Sequence, residues 1–115
     1  MASLAFALPI LPGKTEELKR LAEDLGGPHS AEMQDLLRRF GVANENWYLQ
    51  QTPQGDMAIV YLEGEDIGRS FGEFIASAAP FDRWYKGQLL AIHGIDFNQP
   101  LPGPIAQVIL EAQGR

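Results

Sequence analysis

Over the first ten residues Leu4, Phe6, Leu8 and Ile10 alternate with Ala5, Ala7 and Pro9. That is the two-residue period of a strand with small side chains on one face. Pro9 falls near its end, where a missing backbone donor is tolerated. Leu11-Pro12-Gly13-Lys14 reads as a loop, and beyond it the period changes. Leu18, Leu21, Ala22 and Leu25 recur at helical spacing, with Thr15 as cap and Glu16 and Glu17 complementing the dipole of the first turn. Gly26-Gly27-Pro28 interrupts this helix. Ser30 restarts one whose apolar face is Met33, Leu36, Leu37 and Phe40; Arg38 and Arg39 sit in its last turn, and Gly41 ends it.

The segment from Glu45 to Glu63 predicts a β-hairpin. Pro53 suits the first central position of a type I turn and Gly55 the left-handed position after it, giving a three-residue loop with a bulge. Asp66 then caps a helix carrying Ile67, Phe71, Phe74, Ile75 and Ala78, which Pro80 stops. Asp82 caps another, with Trp84, Tyr85, Leu89 and Leu90 as its apolar residues. Ile92 to Phe97 reads as a last strand. Gln99 to Pro104 is a Pro-rich connector, and Ile105 to Ala112 an apolar tail, either a helix starting at Pro104 or a strand. The predicted order is β, α, β, β, α, β and a tail. This is the split βαβ, ferredoxin-like form of the α+β class: an antiparallel sheet with helices on one face. The chain of 115 residues is one domain, with its core at about 4–97 and the connector and tail at 98–115.

The three-residue turn sets Trp47 opposite Tyr61, Leu49 opposite Ile59 and Glu45 opposite Glu63, with Tyr48 opposite Val60 and Asn46 opposite Leu62 on the other face. A sheet with one solvated face should alternate apolar and polar residues. Here both faces carry large apolar groups, and helices can cover only one. The simplest cover for the second is the sheet of another copy, which predicts a homodimer.

With the split βαβ order, the two-faced hairpin and the segment Ser77-Ala78-Ala79-Pro80-Phe81-Asp82-Arg83-Trp84-Tyr85, the chain resembles the dimeric α/β-barrel superfamily, and within it small bacterial members of unassigned function. The resemblance covers about Leu4 to Phe97. It implies two ferredoxin-like subunits packed sheet against sheet around a pocket. That superfamily holds cofactor-independent monooxygenases, haem-degrading enzymes, isomerases, dehalogenating enzymes and ligand binders without catalysis, so it does not choose a chemistry. No catalytic motif carries over onto residues of this chain.

Composition narrows the classes. Hydrophobic residues make up 45% and charged residues 21%, with a net charge of −6. That balance is wrong for replacing counterions on nucleic-acid phosphates and for docking on an anionic membrane. Without cysteine the chain can form neither disulfides nor thiolate metal sites, and no metal or cofactor is expected. The apolar N-terminus lacks a basic region and is closed early by Pro9 and Pro12, so it reads as a strand and not a signal peptide. A cytoplasmic location is the default.

The candidate chemistry follows from the register. Glu45 and Glu63, facing each other, would raise one another's proton affinity and make one a general acid or base; the alternative is two strand-end carboxylates splayed into water. Trp47 and Tyr61 would wall a pocket for a flat or apolar ligand, or else pack a dimer core. His93, in phase with Ile95 and Phe97, is a candidate general base or haem ligand, or a structural histidine. Arg83, beside Trp84, could meet an acidic ligand. His29 reads as solvated. The run Leu8 to Thr15 ends like a phosphate-binding loop, but it has Leu8 where that motif needs glycine, and two prolines that remove donors. Two functional readings stand: a small-molecule-binding domain, either a plain binder or a cofactor-independent enzyme, and a non-enzymatic dimerisation module with a filled barrel. A haem-degrading enzyme is a third.

Overall fold

A computed structural model describes residues 2–101, 103 and 105–114. Its elements are β1 (Ala2–Pro9), α1 (Thr15–Leu25), α2 (Ser30–Arg39), β2 (Val42–Thr52), β3 (Gly55–Gly64), α3 (Ile67–Ala76) and α4 (Pro80–His93). The three strands form one sheet in the order β1-β3-β2. Both outer strands run antiparallel to β3 and hence parallel to each other. The α1–α2 connection therefore makes a split βαβ unit with β3 inserted between its strands. The architecture is α+β, with an antiparallel sheet and helices packed on one face.

The predicted fourth strand is absent from the described residues. Ile92 and His93 are the last turn of α4, and Gly94, at φ 69°, ends the helix. Tyr85, Leu89, Ile92 and His93 are all buried. They follow one another at helical spacing, so the apolar run that resembles a strand is the end of a helical stripe. The tail is neither helix nor strand: 105–114 has no regular structure and every residue in it is exposed. Pro104, a possible helix start, lies outside the described residues.

The hairpin turn is one residue shorter than expected. Thr52 pairs with Gly55, leaving the two-residue loop Pro53-Gln54. The Thr52 hydroxyl accepts from the Gln54 N–H (3.2 Å) and donates to the Gly55 carbonyl (2.6 Å), and Gly55 takes φ 132°. Every cross-strand partner moves by one. Trp47 faces Val60, Leu49 faces Ala58, Glu45 faces Leu62, and Tyr48 faces Ile59. Asn46 faces Tyr61, and Asn44 faces Glu63. With a two-residue side-chain period, a slip of one exchanges which side chains share a face.

Leu4, Phe6 and Leu8 of β1, Ala58, Val60 and Leu62 of β3, and Glu45 and Trp47 of β2 thus share the face beneath the helices. The opposite face carries Ala5, Ala7, Ile59, Tyr61, Asn46 and Tyr48, and Tyr48 is 56% exposed. Helix caps match the sequence reading only in part. Asp66 accepts from the Arg69 N–H at the start of α3. Thr15, Ser30 and Asp82 instead lie just inside their helices, whose cap positions are Lys14, His29 and Ala79. Pro80 occupies the first turn of α4, where its missing N–H has no helical partner to lose. Among the described residues no helix is long and apolar enough to cross a membrane.

Candidate functional site

An apolar cavity of about 70 Å³ lies between the sheet and the helices. It is walled by Phe6, Val60, Leu62, Phe71 and Phe74, and Glu45, Tyr85 and His93 bring polar groups to it. β2 supplies Glu45 and Trp47, two residues apart and therefore on the same side. The Trp47 Nε1–H donates to the Glu45 carboxyl at 2.7 Å, and the Tyr85 hydroxyl reaches the same oxygen at 3.4 Å. The Trp47 and Tyr85 rings lie nearly parallel, 13° apart with centroids at 6.4 Å. Phe74 and Phe81 enclose the other sides of Tyr85.

The carboxyl of Glu45 points into this apolar layer, and none of the ion pairs among the described residues includes it. Loss of solvation pushes its pKa above the usual carboxylate value, and the bonds from Trp47 and Tyr85 only partly oppose this. Burial, and then the neighbouring Glu45 charge, push the Tyr85 phenol well up. Both shifts act against the charged forms of the pair. His93 is buried at the C-terminal end of α4. Its Nδ1 lies 2.8 Å from the Pro9 carbonyl, and because a carbonyl only accepts, Nδ1 carries the hydrogen. Burial lowers the His93 pKa against the opposing pull of that carbonyl. The ring stays neutral, with Nε2 as an acceptor.

A wider groove of about 610 Å³ runs over the outside, between the β2 edge and α1–α2. Leu25, Met33 and Tyr48 line it, and it shares Leu37, Glu45 and Trp47 with the cavity. Leu37, Glu45 and Trp47 thus border both the groove and the inner cavity.

Glu45, Trp47 and His93, singled out in the sequence, meet at this cavity inside one subunit. Tyr61 and Glu63 do not join them. Both lie on the bare face of the sheet, where Glu63 accepts from Asn44 (3.1 Å) and so forms no dyad with Glu45. Arg83 is exposed on α4. Tyr85, read from the sequence as a core aromatic, is the missed member. The available signal was its hydroxyl: on a buried stripe with Leu89 and Ile92 it has to find a hydrogen-bond partner.

A second polar cluster lies under α4. Asp82 is 0% exposed and takes two bonds from Arg39, at 2.9 and 2.7 Å, and one from the Ser77 hydroxyl. Burial alone would raise the Asp82 carboxyl. The bonds from Arg39 and Ser77 and the Arg39 and Lys86 charges outweigh it and hold the pKa below the ordinary value. Lys86 is also buried, with its ammonium group on the Ile75 and Ser77 carbonyls (3.0 and 2.9 Å) and Asn98 Oδ1 (3.2 Å). Every ligand of this cluster is already in place, so it reads as a structural clasp joining α2, the α3–α4 link and the loop after α4.

His29 is only half-buried. It bonds Asp24 at 2.7 Å and stacks on Trp84, with ring centroids 4.7 Å apart. Lys14, beside the phosphate-loop-like run, is paired with Glu17 at 3.1 Å. Among the described residues no group of three or more His, Asp or Glu side chains is placed to hold a metal ion. Comparison with family models, with curated proteins and with solved structures finds no match.

Proposed function

We propose that this protein is a small-molecule-binding domain, and that its ligand is a small apolar or aromatic compound with one hydrogen-bonding group. The observation that carries the reading is the Glu45 carboxyl, turned into an apolar cavity with an indole N–H and a phenol O–H as its partners and no cation paired with it among the described residues. A buried carboxyl without a cation is a cost to folding, and such groups cluster at functional sites. In its neutral form, which burial favours, a carboxyl both donates and accepts, so it suits an alcohol, a phenol or an amide. With His93 Nε2 as an acceptor in the same cavity, proton transfer between two positions of a bound ligand is chemically open to the site, and it needs no cofactor.

Ligand entry is by way of the groove, with Trp47 as the door. Drug-sized ligands fill roughly 300–1,000 Å³, so the chamber alone suits only a small group, while chamber and groove joined suit more. The test uses Trp84→Phe, which leaves Trp47 as the single tryptophan, titrated with phenol and with indole. Saturable change in Trp47 emission that is weakened at least about tenfold by Glu45→Gln supports the reading. No saturable change at millimolar ligand overturns it.

A second reading is a dimerisation module without a ligand. It is favoured by the bare sheet face, where Ile59 and Tyr61 are half-buried and Tyr48 is exposed. In this reading two copies pack sheet against sheet in the manner of the dimeric α/β barrels, and the split βαβ topology is what supports that likeness. The two readings are compatible, because the cavity and the bare face lie on opposite sides of the sheet.

A further inference from the structure

The two edges of the sheet are finished differently. β2 presents Asn44, Glu45, Asn46, Gln50 and Gln51, polar residues that discourage another strand from pairing. β1, Ala-Ser-Leu-Ala-Phe-Ala-Leu-Pro, has no charged residue anywhere, and only Pro9 guards its end. It pairs with β3 on one side. On the other side no backbone hydrogen bond joins Ala2–Leu8 to another element among the described residues. An uncharged open edge of eight residues is a template for one more strand.

The chain carries an unsatisfied segment to match. Leu101 is the last hydrophobic residue packed on the core among the described residues. Beyond it Ile105, Val108, Ile109 and Leu110 are 47%, 55%, 92% and 78% exposed, and no charge falls before Glu111. Its β-branched residues, Ile105, Val108 and Ile109, suit a strand. Six residues, 105–110, span about 20 Å when extended, enough to cover most of β1. Among the described residues the segment pairs with no strand of its own sheet, and a Pro-rich sequence before it is a poor fold-back turn.

We propose that Ile105–Leu110 of one copy adds as a strand to the free edge of β1 in a second copy, and that the exchange is reciprocal, giving a dimer. The slot next to β1 is where a second split crossover, following α3 and α4, would lay its strand. The exchange supplies from the partner the fourth strand that the subunit lacks. This pairing uses the edge of the sheet and does not depend on the ligand or on packing between bare faces.

The absence of cysteine makes the test clean. Ala5→Cys and Val108→Cys are made in separate chains, mixed, and treated with a short bismaleimide; the double variant is treated alone. In parallel, dimer dissociation is measured by sedimentation for the natural chain and for Val108→Glu with Ile109→Glu. The substitutions lie in exposed coil, so each subunit keeps its fold, which circular dichroism verifies. Expected are a mixed cross-linked dimer and a dissociation constant raised more than about a hundredfold by the two glutamates, since each added strand then turns a charge toward the apolar layer beneath the helices and another beside the open face. Cross-linking only within one chain, in a monomer, overturns the exchange. So does a monomer with no cross-link, or a dimer whose dissociation is unmoved by the glutamates; the last would instead point to packing between the bare faces.

Discussion

Asp82 and Glu45 are two carboxyls withdrawn from water within one small core, and the fold treats them in opposite ways. Asp82 receives a forked guanidinium, a hydroxyl and a nearby ammonium. Glu45 receives one indole N–H and a long contact from a phenol. A charge surrounded by its full set of partners is consistent with a structural role, because any ligand would have to displace them. A carboxyl given neutral donors beside free space has spare hydrogen-bonding capacity. The contrast separates a clasp from a candidate binding group more firmly than burial does, because burial is common to both.

Breaking the clasp has the largest expected effect. Asp82→Ala takes the forked acid from Arg39, which keeps only its bond to the exposed Asp35 (2.8 Å), and removes from Lys86 the larger of its two neighbouring negative charges, leaving Asp96. Removing one partner of a buried pair costs about 3–5 kcal/mol. Arg39 is 35% exposed and keeps part of its hydration, so about 3 kcal/mol is expected in urea denaturation. A loss below about 1 kcal/mol would mean that Asp82 does not hold the cluster together. The pH dependence has a definite sign. The Asp82 pKa is lowered on folding, so its contribution is fully present above the ordinary value of 3.8 and is lost as pH falls through the folded value. Asp82→Asn should flatten that acid-side decline.

Lys86→Met tests the same clasp from its other end, with a smaller effect. Methionine fills the space of the stem but leaves the Ile75 and Ser77 carbonyls without their donor. The loss should be about 1–3 kcal/mol, reduced by no longer burying an ammonium whose pKa desolvation lowers. A stabilised variant would show that the ammonium is carried at a net cost, making Lys86 and not Glu45 the buried charge to explain.

The clasp was hidden from the sequence for a definite reason. Arg39 and Asp82 are 43 positions apart, on helices whose mutual placement depends on the whole crossover. Locally each has an ordinary explanation: a cation in a last turn and an acid at a helix start. The helices and the hairpin were legible because their periods are local. The register was not, since it rests on whether Gly55 or Asp56 pairs with Thr52, and the Thr52 hydroxyl decides that by bonding Gly55. The same one-residue difference turned Glu45 and Trp47 under the helices and left Tyr61 and Glu63 outside. His93 was picked as part of a strand yet reaches the site from the end of a helix; residue type drew attention to it, and periodicity misplaced it.

The smallest expected effect is the most pointed. Glu45→Gln keeps the size and the hydrogen-bonding shape of the side chain but cannot ionise. Because folding raises the Glu45 pKa, its contribution to stability is fully present below the ordinary value of 4.5 and is lost as pH rises through the folded value. In acid the natural chain and the variant should agree within about 1 kcal/mol, since both present a neutral group to Trp47 and Tyr85. As pH rises the natural chain should lose ground steadily to the variant, until the carboxyl ionises in place. His93 and Asp82 titrate in both proteins, so the difference between the two curves isolates Glu45. The measurement is urea denaturation of both from about pH 4 to pH 8. A gap that widens in favour of the variant would show a carboxyl kept at the expense of stability. A gap that moves the other way would show an ionised Glu45 held by its surroundings, which would place it with Asp82 among the clasps and remove the main support for a binding site.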